Sequence, residues 1–342
     1  MKKLAILFLI VSCFGCDEKY PFETGIFPEE PRNLLEMNSE YDEMNSDYNP
    51  PAFDQEVQFI YSSNVKSKGG DFDFESRFLR FIWNKETGVL THSVLGTNAE
   101  GFQNFYNQVQ ELQTDCNEKG PYSYYETRDG VGLKFILFSR DCEGKYQIVG
   151  RDFSESVSNA MTFSKEYTFR LFEEESNEMY PSFLGESFRK DSKDLKSNNP
   201  EWMVFTSDKS GDFNIYQLKI PANQNPIDFL SSDSQKEIQN ILNLNSPEND
   251  HSPFVSDKVM VFASDRSGGY GGYDLYYSIF NGTSWTEAEN FGPKINSEFD
   301  DFRPILVEQG HFGFENNLMI FSSNRPGGLG GFDLYYVGIP RF

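Results

Sequence analysis

The sequence predicts an all-β protein with the architecture of a β-propeller of five blades, with six blades as the alternative. An apolar run that ends in serine recurs five times along the chain. The composition, with 34 Phe, 18 Tyr, 27 Gly and 16 Pro in 342 residues, is typical of many short strands joined by tight turns. Units of this size cannot bury their apolar faces alone, so they must pack on one another.

Each repeat unit is defined by a proline, an apolar strand that ends in serine, and a polar turn. The serines are Ser63, Ser139, Ser207, Ser264 and Ser323, and the prolines that precede them are Pro51, Pro121, Pro181, Pro253 and Pro304. We assign four strands to each unit: a after the proline, b into the serine, and c and d after the turn. Four-stranded units repeated radially form the blades of a propeller.

The two ends of the repeat region predict how the ring closes. The chain ends after strand c of the fifth unit, so that unit lacks strand d. The segment 27–37 lies where a strand d belongs, and we expect it to pair with residues 333–338 and remove both open edges. Two stretches, 98–113 and 233–244, have apolar residues at helical spacing and are expected to be short inserted helices.

The N-terminus resembles a bacterial lipoprotein signal. Lys2 and Lys3 precede an apolar stretch that is too short to span a bilayer and that ends near two cysteines. This resemblance predicts lipidation of Cys16, with Cys13 as the alternative. It divides the chain into a signal peptide (1–15), a lipid-anchored tether (16–26) and the propeller (27–342).

Two further cysteines remain after the signal region. Cys116 and Cys142 flank the strands of the second unit. Because exported proteins fold in an oxidising compartment, we expect these two cysteines to form a disulfide.

The last two units carry the most specific motif. Residues 264–276 read Ser-Asp-Arg-Ser-Gly-Gly-Tyr-Gly-Gly-Tyr-Asp-Leu-Tyr, and residues 323–335 nearly coincide with them. This motif resembles the WD40-like β-propeller repeat of the TolB type, in the form found in cell-envelope lipoproteins. The resemblance implies a protein that is lipid-anchored at the outer membrane, with the cell-surface side favoured, and whose partner is an outer-membrane or other envelope protein.

Charge and strand direction predict a protein-binding face. The formal net charge of −23 argues against nucleic acid as a partner. Alternating strands place the b–c turns and the d–a links at one end of the ring, where they would gather eight residues: Tyr270, Leu329, Arg266, Arg325, Asp250, His251, Asp301 and Arg303. We therefore expect a non-enzymatic interaction subunit of an outer-membrane assembly, secretion or uptake complex.

The alternative function is a propeller that binds or cleaves glycans. A glycosidase needs carboxylates at the ring centre, and Asp250, Asp301 and Glu178 precede their blade prolines and could lie there. Recurring aspartates favour a structural role, however, because catalytic groups are usually unique.

No cofactor or metal site is predicted. The histidines, His92, His251 and His311, share no ligand spacing. Calcium held by the recurring aspartates is the alternative left open, since hard cations prefer several oxygen ligands.

Overall fold

The computed structural model describes residues 20–53, 56–95, 102–128, 131–154, 165–172, 176–190, 199–307 and 313–342. Within these ranges the chain forms five four-stranded antiparallel sheets. Their first strands contact one another in sequence around a closed ring. This arrangement confirms the predicted five-bladed propeller.

Each blade is a meander, and the first strand of the chain belongs to the last blade. That strand is β1 (Arg32–Asn33). Blade 1 contains β2 (Glu43–Phe53), β3 (Glu56–Ser63), β4 (Asp73–Asn84) and β5 (Val89–Leu95). After helix α1 (Phe102–Gln110), blade 2 contains β6 (Asn117–Arg128), β7 (Val131–Asp141), β8 (Tyr146–Ser154) and β9 (Glu166–Thr168).

The remaining blades follow the same order. Blade 3 contains β10 (Glu178–Leu184), β11 (Trp202–Ser207) and β12 (Asn214–Lys219), then helix α2 (Pro226–Ser231) and β13 (Ile238–Asn240). Blade 4 contains β14 (Asp250–Ser256), β15 (Val259–Ser264), β16 (Asp274–Ile279) and β17 (Glu289–Asn290). Blade 5 contains β18 (Asp301–Val307), β19 (Asn317–Ser323) and β20 (Asp333–Ile339), and β1 completes it.

The ring closes as predicted. Arg32 pairs with Tyr336, and Asn33 pairs with Tyr335. The segment around β1 also inserts Phe27, Leu34 and Met37 into the core. This closing segment therefore joins blade 5 through both hydrogen bonds and apolar burial.

The sequence located the first helix correctly and misplaced the second. Helix α1 lies inside the predicted stretch 98–113 and packs Phe105 and Val109 against Phe74 and Phe78 of β4. The predicted helix at 233–244 is wrong, because its centre forms β13, the outer strand of blade 3. The second helix, α2, lies earlier in the chain, where the Asn225 side chain accepts the N–H of Asp228 and caps it. Among the described residues, no helix has the length and apolar character needed to cross a membrane.

The first inner strand corrects the sequence alignment of the repeats. Glu43 pairs with Ser63 in the same way that Asp250 pairs with Ser264. Ser46 therefore occupies the position that proline holds in the other four blades. Pro51, which the alignment assigned to that position, lies further along β2, and blade 1 needs no insertion.

Candidate functional site: a central pocket

A pocket of about 490 Å³ lies at the end of the ring where the inner strands begin. It is mostly apolar, with a few polar side chains, which is the usual character of a ligand site. Its lining residues are Met44, Lys119, Gly144, Tyr146, Asn177, Met179, Tyr180, Phe213, His251, Tyr273, Asp300, Phe302 and Phe332.

The wall of the pocket consists of one equivalent residue from each inner strand. In every blade this residue immediately precedes a β-bulge. We call these positions the wall ring: Met44, Lys119, Met179, His251 and Phe302. Lys119 and His251 are the polar members of the wall ring, and the other three members are apolar. The polarity of the wall is therefore not five-fold symmetric.

An aromatic rim surrounds the wall ring. Each blade contributes one residue at the start of its third strand, either the residue just before that strand or, in blade 2, its first residue: Phe72, Tyr146, Phe213, Tyr273 and Phe332. The backbone N–H of each rim residue donates to a side-chain oxygen of the adjoining blade, at 2.8 to 3.1 Å. The acceptors are Asn117, Asn177, Asn249, Asp300 and Asp42, respectively. Bonds between blades therefore hold the rim in place.

The bulge residues directly follow the wall ring, and one of them, Tyr180, lines the floor of the pocket. Each has a backbone conformation that costs energy for most residues. Positive φ angles of 49° to 61° occur at Asn45, Gly120, Tyr180, Ser252 and Arg303. Residues other than glycine are rarely found there, and such strain concentrates at functional sites. At Gly120 a side chain is also excluded, since its Cβ would lie 2.3 Å from the Tyr180 ring.

Arg303 crosses the ring below the pocket. Its guanidinium donates to the backbone carbonyls of Pro253 and Pro121, at 3.1 and 3.2 Å, and lies 5.0 Å from the centre of the Tyr180 ring. The side chain is fully buried. The prediction that Arg303 lies on an exposed binding face is therefore wrong, because the bulge turns this residue towards the axis of the ring.

Positive charge dominates the electrostatics around His251. Burial and the charges of Lys119 and Arg303 lower the pKa of His251 to about 3, so its ring is neutral at physiological pH. The ring centre lies 4.4 Å from that of Phe213 and 5.2 Å from that of Phe302. Burial also lowers the pKa of Lys119.

The carboxylates proposed for catalysis do not line this pocket. Asp250 accepts hydrogen bonds from Ser246 and Arg266, and Asp301 accepts the equivalent bonds from Ser297 and Arg325. Successive side chains on a strand point to opposite faces, so the neighbours of these acids face the pocket while the acids face away.

Glu178 occupies the same repeat position in blade 3. It accepts the backbone N–H of Phe172, and burial raises its pKa to about 7. It also lies outside the lining of the central pocket. The three acids predicted at the ring centre are thus structural members of the repeat.

The predicted protein-binding face is mostly not accessible. Tyr270 and Leu329 are exposed at the tips of the hairpins in blades 4 and 5. In contrast, Asp250, His251 and Asp301 are buried. Arg266 and Arg325 are half-buried and hold the buried aspartates in ion pairs.

The recurring aspartates of these hairpins bind their own turns. Asp274 accepts the N–H groups of Tyr270 and Gly271, and Asp333 accepts those of Leu329 and Gly330. This geometry satisfies the carboxylates with backbone donors. In the described ranges, no group of three or more His, Cys, Asp or Glu side chains is placed to hold a metal ion.

The four cysteines fall in two regions. Cys116 and Cys142 form a disulfide with an S–S distance of 2.08 Å, which joins the start of β6 to the turn after β7. Cys16 and Cys13, the predicted lipidation sites, lie outside the described residues, as does His311.

Known proteins resemble the chain in fold and not in sequence. No family model matches the chain, and no curated protein matches it. A GH62 hydrolase solved with xylotriose has a TM-score of 0.48 and 8% identity, over 94% of this chain and 99% of its own. An endo-arabinase from Bacteroides thetaiotaomicron has a TM-score of 0.46 and 12% identity, over 95% and 99%. For the GH43 endo-arabinanase of Bacillus licheniformis the values are 0.43, 9%, 88% and 96%.

These comparisons correct two predictions. The similar structures are glycoside hydrolases and no family model matches, so the resemblance to TolB-type lipoproteins is wrong. The predicted non-enzymatic docking subunit is wrong for the same reason. At 8% to 12% identity the likeness concerns the fold alone, so any ligand must be inferred from the pocket itself.

Proposed function

We propose that this chain is a carbohydrate-active propeller that takes an oligosaccharide into its central pocket. The observation that carries the proposal is the aromatic rim, of which Tyr146, Phe213, Tyr273 and Phe332 line the pocket. Aromatic faces offer large, rigid apolar surfaces that suit the C–H faces of sugar rings. The few polar groups between them, including Lys119, can orient the sugar hydroxyls.

Cleavage of the bound glycan is the second candidate, and Asp300 is the observation that favours it. Asp300 is the carboxylate among the described lining residues. Its oxygens accept hydrogen bonds from the Tyr273 N–H at 2.9 Å and from the Asn324 side chain at 3.0 Å. Glycoside hydrolysis generally uses a pair of carboxylates. The pocket therefore supports binding more directly than it supports hydrolysis.

The proposal is tested by binding to an array of neutral and charged oligosaccharides, followed by calorimetry on the best ligand. We expect Phe213→Ala and Tyr273→Ala to weaken binding at least about ten-fold, because each removes a stacking surface. The control is Tyr270→Ala with Leu329→Ala, which removes exposed apolar side chains outside the pocket. Absence of any glycan ligand, or equal binding by the pocket variants, would contradict the proposal.

The repeat itself supplies the variant that tests cleavage. Three blades carry asparagine at the position of Asp300, so Asp300→Asn preserves a side chain that the fold accepts there. Release of reducing ends from the bound oligosaccharide is the measurement. Turnover that Asp300→Asn abolishes, with binding retained, supports cleavage at this pocket, whereas binding without turnover supports recognition alone.

Lipid anchoring stays a prediction, because Cys16 and Cys13 lie outside the described residues. Mass spectrometry of the protein purified from its native envelope is the measurement that checks it. Acyl chains on Cys16, or on Cys13, would present the pocket at a membrane surface, and an unmodified mature N-terminus would contradict anchoring.

A further inference from the structure

We propose that the glycan bound in the central pocket is acidic and that its anionic group pairs with the ammonium of Lys119. This inference rests on the proposed function and specifies its ligand class. The shared chemistry is a sugar that carries either a carboxylate or a sulfate.

The first argument is the environment of the Lys119 ammonium. Nζ lies 4.3 Å from the centre of the Phe72 ring and 5.7 Å from that of Tyr146. No carboxylate among the described residues lies within ion-pair distance of it. Lys190, the other lysine near the axis, pairs with Asp47 at 3.1 Å. Lys119 is therefore a partly desolvated cation on an aromatic wall, available to an anion that enters the pocket.

The second argument is that the fold does not need a charge at this position. The equivalent wall-ring residues of blades 1 and 3 are Met44 and Met179, and that of blade 5 is Phe302. Partial burial of an ammonium costs free energy unless an opposite charge or hydrogen bonds compensate it. A ligand anion would provide that compensation in the bound state.

The third argument is the balance of charge around the site. Arg303 lies below the floor, and both Arg303 and Lys119 act on His251 as positive charges. His251 is neutral. Asp300 is the carboxylate in the lining, and Asp42 and Asp141 act on Lys119 as opposing charges from beyond ion-pair distance. Lys119 thus presents a cation to the pocket beside a neutral His251, in a chain whose net charge is −23.

Lysine does not select between the two anions. Its ammonium is a compact point charge with rotatable donors and lacks the planar fork by which arginine recognises a carboxylate. The experiment must therefore include both sources of negative charge.

The test uses three probes and two lysine variants. The probes are an oligogalacturonate, its fully methyl-esterified form, and a sulfated galactan oligosaccharide, each titrated alongside the array. Lys119→Met installs the residue that blades 1 and 3 already carry, so the fold should be retained. Lys145→Met is the matched control, since it removes a lysine of the same blade that is half-exposed and lies 3.9 Å from Asp208.

We expect an acidic oligosaccharide to bind at least ten-fold tighter than its neutral counterpart. Lys119→Met should remove most of that preference, Lys119→Arg should keep part of it, and Lys145→Met should leave it unchanged. The oligogalacturonate and the sulfated probe, with the corresponding array members, identify which anion is preferred.

The outcomes separate this inference from the proposed function. If acidic and neutral glycans bind with equal affinity, or if Lys119→Met leaves the preference for the acidic glycan unchanged, the acidic ligand is refuted and the glycan pocket stands. If no glycan binds at all, both fail. Preserved melting of Lys119→Met excludes unfolding as the cause of any loss.

Discussion

The hairpins of blades 4 and 5 and the central pocket derive from the same repeat, yet they use it in opposite ways. In the hairpins, equivalent residues have equivalent partners: Arg266 and Arg325 hold buried aspartates, and Asp274 and Asp333 hold turns. In the pocket, equivalent positions carry different side chains, such as Lys119 and Met179. Periodic polar residues stabilise the propeller, whereas a charged residue that is unique to one blade and has no ion-pair partner among the described residues points to a ligand.

A second charged residue that occurs in one blade only lies below the pocket floor, and its partner belongs to the protein itself. Asp47 occupies the position that Tyr122, Ser182, Phe254 and Ile305 hold in the other blades. Its carboxylate accepts the N–H of Ser123 and pairs with Lys190, which comes from blade 3. A charge that the repeat does not require is thus satisfied by a residue outside the repeat.

The largest expected effect comes from opening the ring, because the outer strand of blade 5 comes from the start of the chain whereas that of blade 4 follows in sequence. Replacing Phe27, Leu34 and Met37 together by alanine should cost at least about 6 kcal/mol, since each deletion of a buried side chain typically costs about 2–5 kcal/mol. Urea unfolding measures the loss. Leu35→Ala, at an exposed neighbouring position, is the control and should change little. A total loss below about 2 kcal/mol would mean that closure contributes little to stability.

The next largest effect concerns the ion pair between Lys190 and Asp47. Lys190→Met leaves the Asp47 carboxylate buried without its partner, which should cost about 3–5 kcal/mol of unfolding free energy. The double variant Asp47→Ser with Lys190→Met should recover most of the lost unfolding free energy. Serine is the residue that blade 3 carries at this position. A double-mutant cycle by chemical denaturation measures the coupling. Additive losses would show that the two charges do not interact.

The smallest effect is the pH response of His251. Its pKa is about 3 when folded, against about 6.5 for a free histidine, so the unfolded chain binds the proton more readily. Stability should therefore fall as pH drops below about 6.5, by roughly 3 kcal/mol at pH 4.5. His251→Phe, which copies blade 5, should remove this component. The difference in unfolding free energy between wild type and variant, measured at pH 7 and 4.5, gives its size, and a difference independent of pH would contradict the assignment.

The sequence predicted the periodic part of the molecule well, because repetition makes those positions visible. The serines at or near the ends of the second strands, the closing segment and the blade number all follow from copies that can be aligned. The second helix was misplaced, since Ile238, Ile241 and Leu244 have helical spacing although tertiary pairing makes a strand of Ile238–Asn240.

The pocket was missed because the alignment was anchored on proline. Blade 1 has Ser46 at that position, so the equivalence of Met44 with Lys119 and His251 was hidden and the wall ring was incomplete. Anchoring on the Asn- or Asp-acid dipeptide, as in Asn117-Glu118 and Asp300-Asp301, would have revealed it. No sequence pattern predicts that the bulge turns Arg303 inwards, because the direction of its side chain depends on the backbone of all five blades.

Because β1 pairs with β20, the ring cannot close until the last blade has been synthesised. β1 leaves the ribosome early, and the partner side chain of Asn33, Asp333, follows 300 residues later. Until then the pairing of β1 with β20 cannot complete the burial of Leu34 and Met37. Blades 1 to 4 can form in order as they emerge, but the ring becomes continuous only after translation of the last blade. A ribosome stalled before β20 would therefore hold an open arc of blades with apolar surface exposed.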